Sequence, residues 1–139
     1  MSERYEVVVT CFLREDTPSH VLEALRWHLG ASAARPGGLE EEAHPYPFLE
    51  PDPGSPLPGG DYGVLRGEDH HAWGLFSRTC RHEDDLGQLN ALLGLLEPYV
   101  AEPGYGGHVR AATADPSQPG AAPSLLTFAD GAYVLAPAA

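Results

Sequence analysis

The chain has no lysine, so eight arginines carry all of its fixed positive side-chain charge. Schiff-base and pyridoxal-phosphate chemistry and the P-loop each need a lysine amine, and all three are excluded. Positive charge is scarce altogether: twenty acids against eight bases leave a formal charge of −12. A protein so acidic is poorly suited to gripping a phosphate backbone, where affinity comes from Lys and Arg, or to docking on an anionic membrane surface. Isoleucine is absent as well, and only two cysteines are present, Cys11 and Cys80. They are too few and too far apart for a disulfide framework. No run approaches about 18 uninterrupted apolar residues, so no membrane-spanning helix is expected. The opening residues lack the basic-then-apolar character of a secretory signal. These absences point to a soluble, cytoplasmic protein, and 139 residues suffice for one domain with an ordinary core.

What is present reads as alternating strands and helices. Residues 5–14 form a strand in which Tyr5, Val7, Val9, Cys11 and Leu13 share one wholly apolar face. Glu6, Val8, Thr10, Phe12 and Arg14 share the other, which is mixed. A helix follows, with Asp16 or Thr17 as its cap and Pro18 at its first position. Val21, Leu22, Leu25 and Leu29 give it one buried stripe, and Gly30 ends it. Residues 31–60 hold twelve prolines and glycines and the acidic run Glu40, Glu41, Glu42. That composition excludes helix and central strand. It leaves either a mobile loop or a strap held by Tyr46, Phe48, Leu49 and Leu57, with a short edge strand possible at residues 46–49. Strands are expected at 62–66 and 72–81, joined by a turn over 67–71. A second helix begins at Asp84 and Asp85 and carries a stripe of Leu86, Leu89, Leu93 and Leu96, widened by Leu92 and Leu95. Pro98 closes it. Strands at 108–114, 124–128 and 133–135 complete the chain, the last two joined by a tight Asp130-Gly131 turn.

This order predicts an α+β fold of ferredoxin-like, split β-α-β type: two helices on one face of an antiparallel sheet, with an added C-terminal hairpin. An α+β sandwich with another strand order is the alternative.

Several residues carry possible chemistry. Arg78 lies in an otherwise apolar strand, where its donors require a carboxylate or an anionic ligand. Arg110, on the next strand, can converge with it. Trp27 and His28 flank the first helix's stripe and, with Arg78 and Arg110, make up the candidate ligand-binding set; Trp73 opens the central strand. His70, His71, His82 and His108 invite a metal, but neither the helical His-x3-His spacing nor a Cys-x2-Cys pair exists, so no metal is assigned. Cys11 falls on the apolar face and reads as core; Cys80, near Arg78, Arg81 and His82, also reads as packed. The glycines at 37–38 and 104–107 lack the strand-then-helix setting of a phosphate loop, and no hydrolase elbow or zincin motif occurs.

The segment Leu25-Arg26-Trp27-His28-Leu29-Gly30 resembles one in a group of small proteins from high-GC actinobacteria. The likeness continues through residues 72–78 and the hairpin at 128–133. The resemblance implies a shared organisation and no particular activity, and it adds weight to Trp27, His28 and Arg78.

The leading expectation is a non-enzymatic domain that binds a small molecule or a partner and acts as a homodimer. Val8 and Phe12 on one strand, and Leu75 and Phe76 on another, put apolar groups on both sheet faces, and helices can cover only one. No organic cofactor is implied. A rival expectation is a small enzyme with a pocket between helices and sheet, roofed by 31–60. Arg78 would then be the anion clamp, His28 or His108 the proton carrier, and Trp27 a wall. A third is an adaptor whose acidic proline-rich loop takes a basic partner.

Overall fold

The computed structural model describes residues 4–67, 72–112 and 123–137. Its elements are β1 (Arg4–Arg14), α1 (Ser19–His28), β2 (Tyr62–Gly67), β3 (Ala72–His82), α2 (Leu86–Leu96), β4 (Gly104–Ala111), β5 (Ser124–Ala129) and β6 (Ala132–Pro137). Single 3-10 turns, Glu83–Asp85 and Glu97–Tyr99, flank α2. The strands form one open antiparallel sheet in the order β2-β3-β1-β4-β5-β6. The fold is therefore α+β.

The period-2 pattern of β1 decides which face the helices cover. Val7, Val9 and Leu13 are buried in a cluster with Val21 and Leu25 of α1, Leu89, Leu92, Leu93 and Leu96 of α2, and Leu126 and Phe128 of β5. Both helices thus serve the odd-numbered face of β1. The helix α1 stops as its glycine demands: Gly30 has φ +79°, its N–H donates to the Trp27 carbonyl, and the Ala31 N–H donates to that of Arg26. That pair of bonds satisfies carbonyls the helix leaves open.

Its start differs from the sequence expectation. Pro18 is the cap residue and no side chain caps the first turn. Asp16 is engaged by Arg14 instead, at 2.7–2.9 Å, and the Thr17 hydroxyl donates to the Arg14 carbonyl. A charged neighbour two residues away outcompeted the free amides.

Residues 31–60 are a strap. Phe48, Leu49 and Leu57 are buried, the first two completely. The edge strand expected at 46–49 does not form. The amides there turn to the end of α1, with the Leu49 N–H donating to the His28 carbonyl and the Phe48 N–H to His28 Nδ1.

Strand β4 starts four residues earlier than the alternation suggested, at Gly104, and the expected end at residue 114 lies outside the described residues. Glycines make the early start possible. The register shifts between Tyr105 and Gly107, and Gly107 has φ +136°. A Cβ on Gly107 would fall 1.8 Å from the Val8 carbonyl oxygen, and one on Gly106 would enter the Phe128 ring. Only glycine permits this bulge beside β1. The closing hairpin turns as expected, with Asp130 at φ 51° and Gly131 at φ 75°.

Candidate functional site on the open sheet face

The face of the sheet away from the helices can be laid out from the strand register, because directly opposed residues point the same way. Along β1 it carries Glu6, Val8, Thr10 and Phe12. Across β3 these meet Cys80, Arg78, Phe76 and Gly74, and across β4 Glu6 and Val8 meet Arg110 and His108. Strand β2 adds Tyr62, Val64 and Arg66, and β5 and β6 add Leu125 and Val134.

Glu6 is the centre of the polar cluster. It is 3% exposed and the only acid in any of the six strands. Arg78 Nε donates to its Oε2 at 2.8 Å, and Arg110 Nε to its Oε1 at 2.7 Å. His108 Nε2 lies 2.8 Å from Oε1. Burial by itself would raise the Glu6 carboxyl, but His108, Arg110 and Arg78 outweigh it and hold the pKa below its ordinary value. An ionised Glu6 can only accept, so His108 Nε2 must carry the hydrogen. In neutral His108 that leaves Nδ1 bare, and Tyr105 Oη, 2.8 Å away, donates to it. The result is a hydroxyl–imidazole–carboxylate chain ending at an exposed phenol. Arg78 is fixed further, its Nη1 donating to the carbonyls of Pro58 at 2.9 Å and Gly60 at 2.7 Å. One carboxylate shared by two guanidiniums leaves the cluster net positive.

The rest of the face is apolar, to either side of the cluster. Phe12, Tyr62, Phe76, Tyr105, Leu125 and Val134 are the exposed large hydrophobic residues among those described, and all six lie on this face. Next to the cluster, a shallow depression of ≈ 310 Å³ is lined by Thr10, Phe12, Tyr62, Val64, Arg66 and Phe76, with β3 backbone beneath.

The four residues read from sequence as ligand-binding divide between the two sides of the sheet. Arg78 and Arg110 converge, on Glu6. Trp27 and His28 do not join them; both are buried at the end of α1 beneath the strap. Arg35 covers the Trp27 ring at 4.4 Å and donates to the carbonyls of His44 and Pro45. His28 Nδ1 accepts from the Phe48 N–H, so its Nε2 hydrogen goes to His44 Nδ1, 3.0 Å away. Desolvation first, then His44, Arg35 and Arg81, push the His28 pKa down to about 3. His28 is therefore a neutral latch and not a proton carrier. Where a pocket between helices and sheet, roofed by 31–60, was expected, Phe48 and Leu49 are buried completely; the strap instead bounds an open depression of ≈ 340 Å³ against α2, lined by Glu42, Pro45, Tyr46, Gln88 and Ala91 among others.

Neither cysteine is activated. Burial pushes the Cys11 thiol up to about 12 and also raises that of Cys80. Among the described residues no group of three His, Cys, Asp or Glu side chains is placed to hold a metal; His70 and His71 lie outside them. Sequence reasoning missed Glu6 and Tyr105. The available signal for Glu6 was its isolation, a single acid in strands that contain six arginines.

No protein-family model, curated protein or solved structure matches the chain. Among the described residues, no helix is long and apolar enough to cross a membrane.

Proposed function

We propose that the chain is a non-enzymatic small-molecule-binding domain that pairs with a second copy through the open face of its sheet. The observation that carries this reading is the gathering of all six exposed large apolar residues on that one face. Scattered singly over a surface, such residues need no explanation. Here Phe12, Tyr62 and Phe76 on β1–β3 and Tyr105, Leu125 and Val134 on β4–β6 flank the polar cluster on one face, and such a face calls for a cover. The size of the face supports a second copy as that cover. Six strands span about 24 Å and the longest run about 35 Å, which is comparable with the roughly 800 Å² per partner of a stable interface.

In the same reading, β1 to β4 with α1 and α2 are a ferredoxin-like split β-α-β unit widened by the β5–β6 hairpin. Support comes from β3 lying between β1 and β2, and β1 between β3 and β4. The likeness to small actinobacterial proteins and a cytoplasmic setting belong to the proposal too; two free thiols suit a reducing compartment.

Light scattering at micromolar to hundred-micromolar concentration tests the pairing. The wild-type chain is expected to reach the dimer mass, and Phe76→Glu, exposed on β3 beside Tyr62, to remain monomeric with an unchanged circular-dichroism spectrum. A wild-type monomer throughout that range overturns the homodimer.

The Tyr105–His108–Glu6 chain favours a second reading, an enzyme that moves a proton at Tyr105 Oη. A phenol hydrogen-bonded to an imidazole, itself oriented by a carboxylate, has the arrangement of an activated acid–base group. Turnover lost in both Tyr105→Phe and His108→Gln, with the fold retained, would establish it.

A further inference from the structure

We propose that the depression over β1, β2 and β3 binds a small carboxylate with an aromatic or short aliphatic body, its charged end held by Arg66. The inference rests on the reading of the open face as the binding surface, and it assigns that surface a ligand class. At ≈ 310 Å³ the depression lies at the lower end of the about 300–1,000 Å³ typical of small-ligand sites. Its walls are Phe12, Tyr62, Val64 and Phe76, and Arg66 is the only charged side chain in its lining. Apolar walls with one placed charge are the usual composition of a site that orients an amphipathic molecule.

Charge distribution gives the sign independently. The protein is strongly acidic, yet five of its eight arginines, Arg4, Arg14, Arg66, Arg78 and Arg110, take open-face positions in the register, against Glu6 alone. Arg14 is matched by Asp16 at 2.7 Å, and Glu6 is shared by Arg78 and Arg110. Arg66 has no carboxylate among the described residues. A face-to-face pair would bring two such surfaces together, and an anionic ligand on each supplies the countercharge.

The donors favour carboxylate over phosphate. The planar guanidinium offers two parallel N–H groups that match both oxygens of a carboxylate. A phosphate dianion needs further donors; besides Arg66 the lining offers only the Thr10 and Tyr62 hydroxyls, and the floor is paired strand, whose amides are committed to the ladder.

The test is a titration of ¹⁵N-labelled protein with phenylacetate, phenyl phosphate and 2-phenylethanol, following backbone amides and recording mass by light scattering on the same samples. Saturable shifts at Thr10, Val64 and Phe76 are expected with phenylacetate. Binding should be at least about tenfold weaker for 2-phenylethanol, and for phenylacetate with Arg66→Gln, as loss of a charge-assisted pair implies. Arg66 is exposed, so that variant should keep the wild-type thermal midpoint. Equal binding of phenylethanol, an unaffected Arg66→Gln, or shifts confined to other parts of the chain overturns the proposal. Tighter binding of phenyl phosphate overturns the choice of carboxylate. A monomer that binds phenylacetate in this way refutes the homodimer and leaves the ligand assignment standing; a dimer that does not bind it does the reverse.

Discussion

Glu6 shows how one side chain can fix the character of a whole surface. A buried carboxylate in a sheet is unfavourable unless its charge is compensated, and here three partners from β3 and β4 converge on it. Replacing it by glutamine leaves two guanidiniums converging on a neutral amide, with no anion between them. The expected outcome for Glu6→Gln is a loss of about 2–4 kcal/mol in urea unfolding, below the full buried-pair value because Arg110 is 55% exposed. An unchanged denaturation midpoint would show that the cluster is solvated and contributes no net stability. The acid dependence follows from the depressed pKa: Glu6 contributes stability above its unfolded value, and that stability is lost as pH falls through the folded one. From sequence, Arg78 could be read as needing an anion, but not which of twenty acids supplies it. The answer depends on a register that pairs residues 72 apart, and local spacing does not encode it.

Among the elements, the strap over 31–60 is held by contacts that sequence periodicity cannot express. Its buried apolar residues, Phe48, Leu49 and Leu57, follow no repeat, and its polar anchors run to the end of α1, to Arg78 and Arg81 of β3 and to Gln88 of α2. The strands and helices were legible because each buries one face at its own period. The strap was legible as one of two alternatives through its apolar residues, three of which are buried, while its polar anchors and the β4 bulge were not, because they depend on contacts distant in sequence. The His28–His44 pair gives the strap a defined pH response. In the folded state His28 Nδ1 faces the Phe48 N–H, and His44 Nδ1 faces the His28 Nε2 hydrogen. A proton added at either nitrogen opposes donor to donor. Desolvation, with Arg35 nearby, lowers His44 as well as His28. Because both folded values lie below the unfolded one, the unfolded chain binds more protons. Stability is therefore complete above pH about 6.5 and falls as pH drops toward the His28 value of about 3, by up to about 1.4 kcal/mol per pH unit for that imidazole, with His44 acting in the same direction. Amide exchange measured from pH 7 to pH 4.5, corrected for intrinsic rates, is expected to show Phe48 and Leu49 losing protection before the β1–β3 ladder does. His28→Phe, which cannot accept from the Phe48 N–H, should give low protection there at every pH. Simultaneous loss along strap and ladder would mean that the strap has no separate opening.

For the molecule as a whole, charge and apolar surface are segregated in opposite senses. Among the described residues, every acid except Glu6 lies on a helix, a turn or loop, or the strap, while the strands carry arginine and the exposed aromatic residues. A two-fold pair of open faces buries apolar area and at the same time brings positive side chains together, with the overall charge of −12 adding a second repulsion. Both electrostatic contributions oppose association, and both are screened by salt, since the Debye length falls from about 10 Å at 0.1 M to about 3 Å at 1 M. The dimer is thus expected to tighten severalfold between about 0.05 and 0.5 M sodium chloride in sedimentation equilibrium, the reverse of an interface held by ion pairs. Addition of an apolar carboxylate at low salt should tighten it too, since a ligand bound preferentially by the pair shifts the equilibrium toward it. Weakening with salt would require acids of one copy to meet arginines of the other. The run Glu40, Glu41, Glu42 on the strap is one source of such acids, and Glu83, Asp84, Asp85 before α2 is another as dense. A contact between one copy's strap and another copy's open face joins different surfaces, so it would build a head-to-tail assembly in place of a closed pair.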